Sequence, residues 1–548
     1  MNGLRMYIDH PRRRFIKQTI AGAAALAGLQ VFHSCEQKKL SEIKGSLKGA
    51  NSKAGHVLRD GKQVELSGTR IETDILIVGG GIAGLSARRW LKKSGVQHVL
   101  TLELDDRVGG NSTFGRNEVS AYPWGAHYLP VADIGDSDLV GFLVEAGVIT
   151  GFDDNNLPVY SDYYLCHDPE ERLFINGYWQ EGLVPVFGIG VYEQQEQQRF
   201  FAKMDAYRMA VGKDGKDAFK IPVDTSSSDE EYRSLDNISF ADWLRQNNFT
   251  APSLLWYLEY GCKDDYGSNL ENTSAWAGIH YFASRKGKAS NADHTAVLTW
   301  PEGNGFLMNK LREQADSEIL TNSLAYSFRY DEVGIVATVY DTGKNTAYEI
   351  AARKVILATP QFVNKKLLSD LLSDKRTVNY IRFEYAPWVV ANLTLDALPD
   401  VKGMPLCWDN VLYRHPSVGY VNANHQDISQ STKRVLTYYK PLIGQSYQEE
   451  RRKAYGRSYD SWKEQIIQEM EYAHKGISSY IDCIDIWVWG HGMIVPQPNF
   501  IWGEDRANAQ KPVDDTIFFA HSDLSGISIF EEAFYQGIKA AAAVLASL

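Results

Sequence analysis

The 548-residue sequence predicts an α/β protein, a Rossmann-like dinucleotide-binding domain with an α+β domain interleaved through it. Three observations carry this. A buried strand runs into a glycine-rich turn and a helix over residues 73–95, the next strand ends in an acid, and a second buried strand followed by an alanine-rich helix closes the chain. The length exceeds what one hydrophobic core accommodates, so two domains are expected.

The chain opens with Arg12-Arg13-Arg14-Phe15-Ile16-Lys17 ahead of an apolar stretch from Thr19 to Phe32. That stretch is too short and too rich in Gly and Ala for a membrane span, and its order is that of a targeting segment. The paired arginines resemble twin-arginine signals, which implies export of a folded protein to the periplasm with the twin-arginine machinery as partner. Phe32-His33-Ser34-Cys35 resembles a lipoprotein cleavage box. Ser34 fits it and His33 departs from it, which leaves a tethered lipoprotein and a free periplasmic protein both open. Residues 1–35 are thus read as a signal. Residues 36–71, polar and without an apolar period, are read as a flexible tether.

The body begins at "TDILIVGGGIAGLSARRWLKKSG". Asp74 to Val78 suits a buried parallel strand, and Gly79, Gly81 and Gly84 form GxGxxG at the turn into a helix over Ile82–Ser94, stopped by Gly95. Glycines are needed there for a tight turn, for close approach of a pyrophosphate and for helix–strand contact. The helix N-terminus offers free N–H groups to phosphates. About twenty residues on, "HVLTLEL" ends in Glu103, where an acid accepts from a ribose. Spacing alone leaves NAD and FAD both open.

The residues after this strand narrow the choice. Glu103-Leu-Asp-Asp-Arg107-Val-Gly109-Gly110 resembles the acid-to-RxGG segment of the flavin-containing amine oxidase superfamily, and "YPWGAHYLP" (122–130) resembles its next element. "TWPEGNGFLMNKL" (299–311), the hairpin around Asp341-Thr-Gly343, the strand "KVILATPQFV" halted at Pro360, and the closing "IFFAHSDLSGISIFEEAFYQGIKAAAAV" keep the family's order. The resemblance runs from about residue 72 to the end. It implies a two-dinucleotide-binding-domain flavoprotein holding FAD, with FAD-binding segments at 72–150, 291–362 and 486–548. The substrate domain is expected at 151–290 and 363–485. It also implies cofactor contacts at Gly79, Gly81, Gly84, Glu103, Arg107, Gly109 and Gly110.

Three further family positions carry over from the resemblance, one of them a cofactor contact. The lysine that follows the "A-x-P" strand end falls on Lys366, with Lys365 next to it. The contact near the ribityl chain falls on Asp523 or Ser522, because Ser522 stands at the usual glutamate position with Asp523 beside it. The aromatic wall facing the flavin falls on Trp489, with His491 as an adjustable acid, base or donor. Ile529-Phe530 stands where a plain tyrosine is usual, which counts against a simple monoamine oxidase.

"CKDDYGSNLENTSAWAGIHYFASR" (262–285) more faintly resembles bacterial polyamine-dehydrogenase-like flavoproteins. Asp264, Asp265 and Tyr266 could receive a cationic chain, or could be surface acids at a helix end.

A formal net charge of −11 argues against nucleic-acid binding, and five scattered cysteines without a CxxC pair give no reason to expect a metal. The expected function is FAD-dependent oxidation of a small-molecule amine, with oxygen or a quinone or cytochrome taking the electrons. A desaturase of a non-amine donor and a non-catalytic flavin-binding surface protein are the alternatives.

Overall fold

A computed structural model of the protein describes residues 40–548 apart from 314–318, 333, 372–376 and 429–430. The twin-arginine stretch and Cys35 lie outside the described residues. The tether expected over 36–71 is structured from residue 40 onward. Strand β1 (Leu47–Gly49) pairs in parallel with the long strand Ile481–Ile494, and helix α1 (Ser52–Arg59) follows, N-capped by the Asn51 side chain. Ile43 and Leu58 are buried at the two ends of this segment. These anchors are too far apart to show as a period in an otherwise polar stretch.

Strand β2 (Leu66–Val78) enters a seven-stranded sheet, crosses through helix α2 (Ile82–Lys93) and pairs in parallel with β3 (Val99–Leu102), the expected βαβ unit. Thr346–Leu357 lies on the other side of β2, with Ile517–Phe519 and the hairpin partner Ile335–Asp341 beyond it. FAD-binding segments that stand far apart in sequence are therefore neighbours in one sheet. The closing helix Phe530–Ala546 lies along α2, where a side chain at Gly537 would come within 2.2 Å of the Ala83 carbonyl oxygen. Ile75 and Ile77 pack beneath both helices, while Leu76 and Val78 face the core on the other side of the sheet.

An eight-stranded sheet forms the second layer, in the order β1, Ile481–Ile494, Tyr385–Leu395, Arg434–Pro441, Gly419–Asn422, Asp409–Leu412, Glu171–Ile175 and Tyr178–Glu181. Ile481–Ile494 belongs wholly to it, so the closing segment expected over 486–548 begins only after this strand. Along that strand burial alternates. Ile484, Ile486 and Val488 point into the core, while Trp487, Trp489, His491 and Met493 form a row on the opposite face. The helices Pro252–Tyr266 and Ala275–Ala283 pack around the same region.

Candidate active site

The glycine turn is built by close contact. Gly79 has φ +109°, and a Cβ there would lie 2.6 Å from the Ala358 oxygen. A Cβ at Gly84 would lie 1.9 Å from the oxygen of Gly79 itself. Only glycine lets α2 start this close to β2, which leaves the first-turn N–H groups facing open space with no side-chain cap at Gly81. The Gly109 N–H donates to the Gly80 oxygen at 2.9 Å, which ties the second glycine pair, Gly109-Gly110, to the first turn. Glu103 accepts from the N–H groups of Gly80 and Asp105, both at 2.9 Å. Burial outweighs these bonds and pushes its carboxyl up to about 7.

A cavity of about 1350 Å³ runs from Gly79, Gly81, Glu103, Gly109 and Gly110 to His491 and Asp523. Its donor set suits a dinucleotide, with N–H groups at one end for phosphate, an acid for a ribose beside them, and a second acid further along. Asp523 is 1% exposed, and its Oδ2 accepts from the Gln361 N–H at 2.9 Å and from the Tyr385 hydroxyl. Burial would raise this carboxyl, but the His521 charge and the bonds from His521, Tyr385 and Gln361 together hold it below its ordinary value. Ser522 lines the same wall. The His491 ring stacks on Phe362 with centroids 4.1 Å apart and meets Tyr385 edge-on. Burial and the Arg451 charge push it down to about 3, so it is a neutral imidazole.

Two residues expected in this site stand elsewhere. The helix Gln361–Leu367 turns Gln361, Asn364 and Leu367 inward, which puts Lys365 and Lys366 on its exposed side, away from the cavity. Arg107 is exposed and paired with the adjacent Asp106 at 3.0 Å, so the RxGG arginine does not reach the cradle although its two glycines do.

A second cavity of about 1030 Å³ adjoins the first, and Asn111, Ala126, Gly492, Ser528, Ile529 and Phe530 line both. Trp489 lines this second cavity, its indole N–H donating to the Trp124 oxygen at 2.6 Å. Asp264 and Asp265 line it too, whereas Tyr266 is packed in the core with its hydroxyl on the Ala277 oxygen at 2.8 Å. Asp265 is committed: the Tyr128 hydroxyl donates to it at 3.3 Å and Arg285 stands 3.5 Å away. Asp264 has no hydrogen-bond partner among the described residues, and burial, reinforced by the Asp265 charge, raises its carboxyl.

Tyr439, Trp388 and Glu531 also line this space and are not legible in the sequence. The two aromatic residues sit in strands without a motif, and Glu531 reads as an ordinary acid in the first turn of a helix.

A phosphate cradle, a long dinucleotide cavity and an adjoining carboxylate-bearing cavity define the class, an FAD-dependent oxidoreductase fold. Residues 77–140 match the NAD(P)-binding Rossmann-like domain family. A flavin-containing amine oxidase of Oncorhynchus mykiss is 47% identical over 49 residues, 9% of each chain. An L-amino acid dehydrogenase of Synechocystis is 23% identical over 300 residues, 52% of this chain and 56% of that one. The chain thus spans from under a tenth to about half the length of these curated relatives. The structure of a putrescine oxidase bound to putrescine superposes with a TM-score of 0.59 at 15% identity, over 87% of this chain and all of that one. The chain is thus similar to flavin-containing amine oxidases over its dinucleotide-binding segment and shares the fold of a putrescine oxidase, and the cofactor that the cavity and these likenesses support is FAD.

Proposed function

We propose that the protein oxidises a diamine or polyamine at a carbon next to nitrogen, giving an imine that water hydrolyses. The observation that carries this reading is Asp264, a carboxylate without a hydrogen-bond partner among the described residues, in a cavity that adjoins the dinucleotide cavity. A buried carboxylate is costly to leave unpaired, and a substrate cation supplies the missing charge. The walls of Tyr128, Tyr439, Trp388 and Trp489 suit a cationic chain passing aromatic faces.

FAD, when bound, supplies the two-electron acceptor for the substrate's C–H bond. The protein's own residues do the rest. The α2 N-terminus and Glu103 would hold the adenosine and phosphate end, Asp523 would meet the ribityl chain, and His491 keeps a neutral ring against the cavity wall. Trp489 and Phe530 border the substrate and exclude water. The electron acceptor that this reading expects is oxygen, or a quinone or cytochrome.

We also propose that the protein is exported folded through the twin-arginine route to the periplasm, with Cys35 deciding whether it stays tethered. The cofactor cavity supports this, because residues as far apart as Gly79 and Asp523 line it and it forms only once nearly the whole chain has folded. Anaerobic mixing with putrescine or spermidine tests the catalytic reading, which expects loss of the oxidised-flavin absorbance. Bleaching only by apolar unsaturated compounds would favour a desaturase instead.

A further inference from the structure

Glu531 stands in the first turn of the closing helix Phe530–Ala546, a position where a carboxylate usually meets solvent and the helix dipole. Here it is 7% exposed and lines the substrate cavity, next to Phe530, which lines both cavities. No other residue among the described ones donates to its carboxylate, whose single hydrogen-bond support is its own N–H. Its neighbour Glu532 differs, since one oxygen of Glu532 accepts from the Val223 N–H at 2.6 Å. Asp265 is likewise occupied by Tyr128 and Arg285. Glu531 and Asp264 are therefore the two uncommitted carboxylates of the cavity.

We propose that Glu531 receives the substrate nitrogen that is oxidised and accepts one proton from its ammonium, so that a neutral amine faces the cofactor. An N–H bond of the ammonium breaks and an O–H bond forms on the carboxylate, and no electrons are transferred in this step. The step is needed because an ammonium has no lone pair to stabilise the positive charge that develops on the neighbouring carbon. The role rests on the amine reading of the cavity.

The groups that face Glu531 fix the sign of its pH dependence. Those that share its cavity are Asp264 and Asp265 from the helix Pro252–Tyr266, His280 and Tyr281 from Ala275–Ala283, Arg285 beyond it, His127, which burial pushes down to about 4, Tyr128 and Tyr439, while Asp136 ahead of Ser137–Glu145 acts through its charge. Burial pushes His280 down to about 4, so Arg285 is the cation of this set, and it is engaged with Asp265 and Tyr128. Burial accordingly dominates at Glu531 and raises its carboxyl to about 7, which suits a proton acceptor near neutral pH.

The test is the rate of flavin bleaching by putrescine, measured anaerobically across pH on the FAD-loaded protein. The wild type is expected to show a rising limb near pH 7. Glu531→Gln should bleach about 100-fold more slowly and lose that limb, while Glu531→Asp restores it. Calorimetric binding of tert-butylamine, which has no hydrogen on the carbon next to nitrogen, adds a readout free of turnover. Glu531→Gln should weaken it by about 10-fold or more. A Gln variant that holds FAD, keeps the wild-type limb and binds tert-butylamine equally would overturn the assignment. A wild type that no amine bleaches would sink the amine reading, and this role with it.

Discussion

The backbone N–H of Asn51 donates to Oδ1 of Asp105 at 2.9 Å, and the N–H of Asp105 donates in turn to Glu103, at the glycine-turn end of the dinucleotide cavity. The segment before the Rossmann strand thus reaches the cofactor site through two hydrogen bonds. Its helix α1 packs Leu58 against a cluster that includes Leu324 and Leu367, both of which line the cavity. Replacing Asp105 with Ala should speed FAD release by about 10-fold, the usual worth of a hydrogen bond to a charged group. Recovery of free-FAD fluorescence after dilution measures it. Unchanged retention would mean that this segment plays no part in holding the cofactor.

Gly84 has no room for any side chain, because its Cβ would overlap the Gly79 oxygen. Gly84→Val is expected to purify without flavin colour. A fully yellow variant would mean that the glycine turn does not hold the cofactor.

Asp264→Asn should raise KM for putrescine and spermidine by about 10-fold or more, with a far smaller effect on butylamine, which has no second cation to place there. Equal effects on all three would make Asp264 a structural acid.

Lys366 is exposed, so Lys366→Ala should leave the rate of flavin bleaching within about 2-fold of wild type. A large loss would mean that the helix Gln361–Leu367 repositions when FAD is present.

Glu532 is fully buried, and burial pushes its carboxyl from 4.5 up to about 8. Its folded value exceeds its unfolded one, so the native state binds the extra proton between those limits. The stabilisation is complete below about 4.5 and is lost as pH rises through about 8. Glu532→Gln mimics the protonated form and should flatten the fall in Tm between about pH 5 and 8.

Much of the cofactor site is local in sequence and is legible for that reason. A tight turn, an acid at the next strand end and a glycine pair each depend on neighbours a few residues away, so Gly79, Glu103 and Gly109 all appear in the cavity wall, with Gly84 packed behind the turn. Residues whose position depends on helix phase are not legible in this way. The resemblance points to Lys366 and Arg107, but one helix face and one ion pair turn them outward. The substrate cavity shows in the sequence at Asp264, Asp265 and Trp489, and through the segments 122–130 and Ile529-Phe530. Glu531, Tyr439 and Trp388 meet there by tertiary packing of a helix and two strands, which leaves no spacing to read. The order of the segment before β2 is hidden for a similar reason, because β1 pairs with a strand at the far end of the chain.

Asp264, a carboxylate without a hydrogen-bond partner among the described residues, should select a substrate with two cationic centres. The most direct test is the anaerobic second-order rate of flavin bleaching by putrescine set against that by butylamine, on the wild-type holoprotein at neutral pH. Putrescine is expected to be faster by about 10-fold or more. Equal rates, or bleaching by neither amine, would contradict this selection.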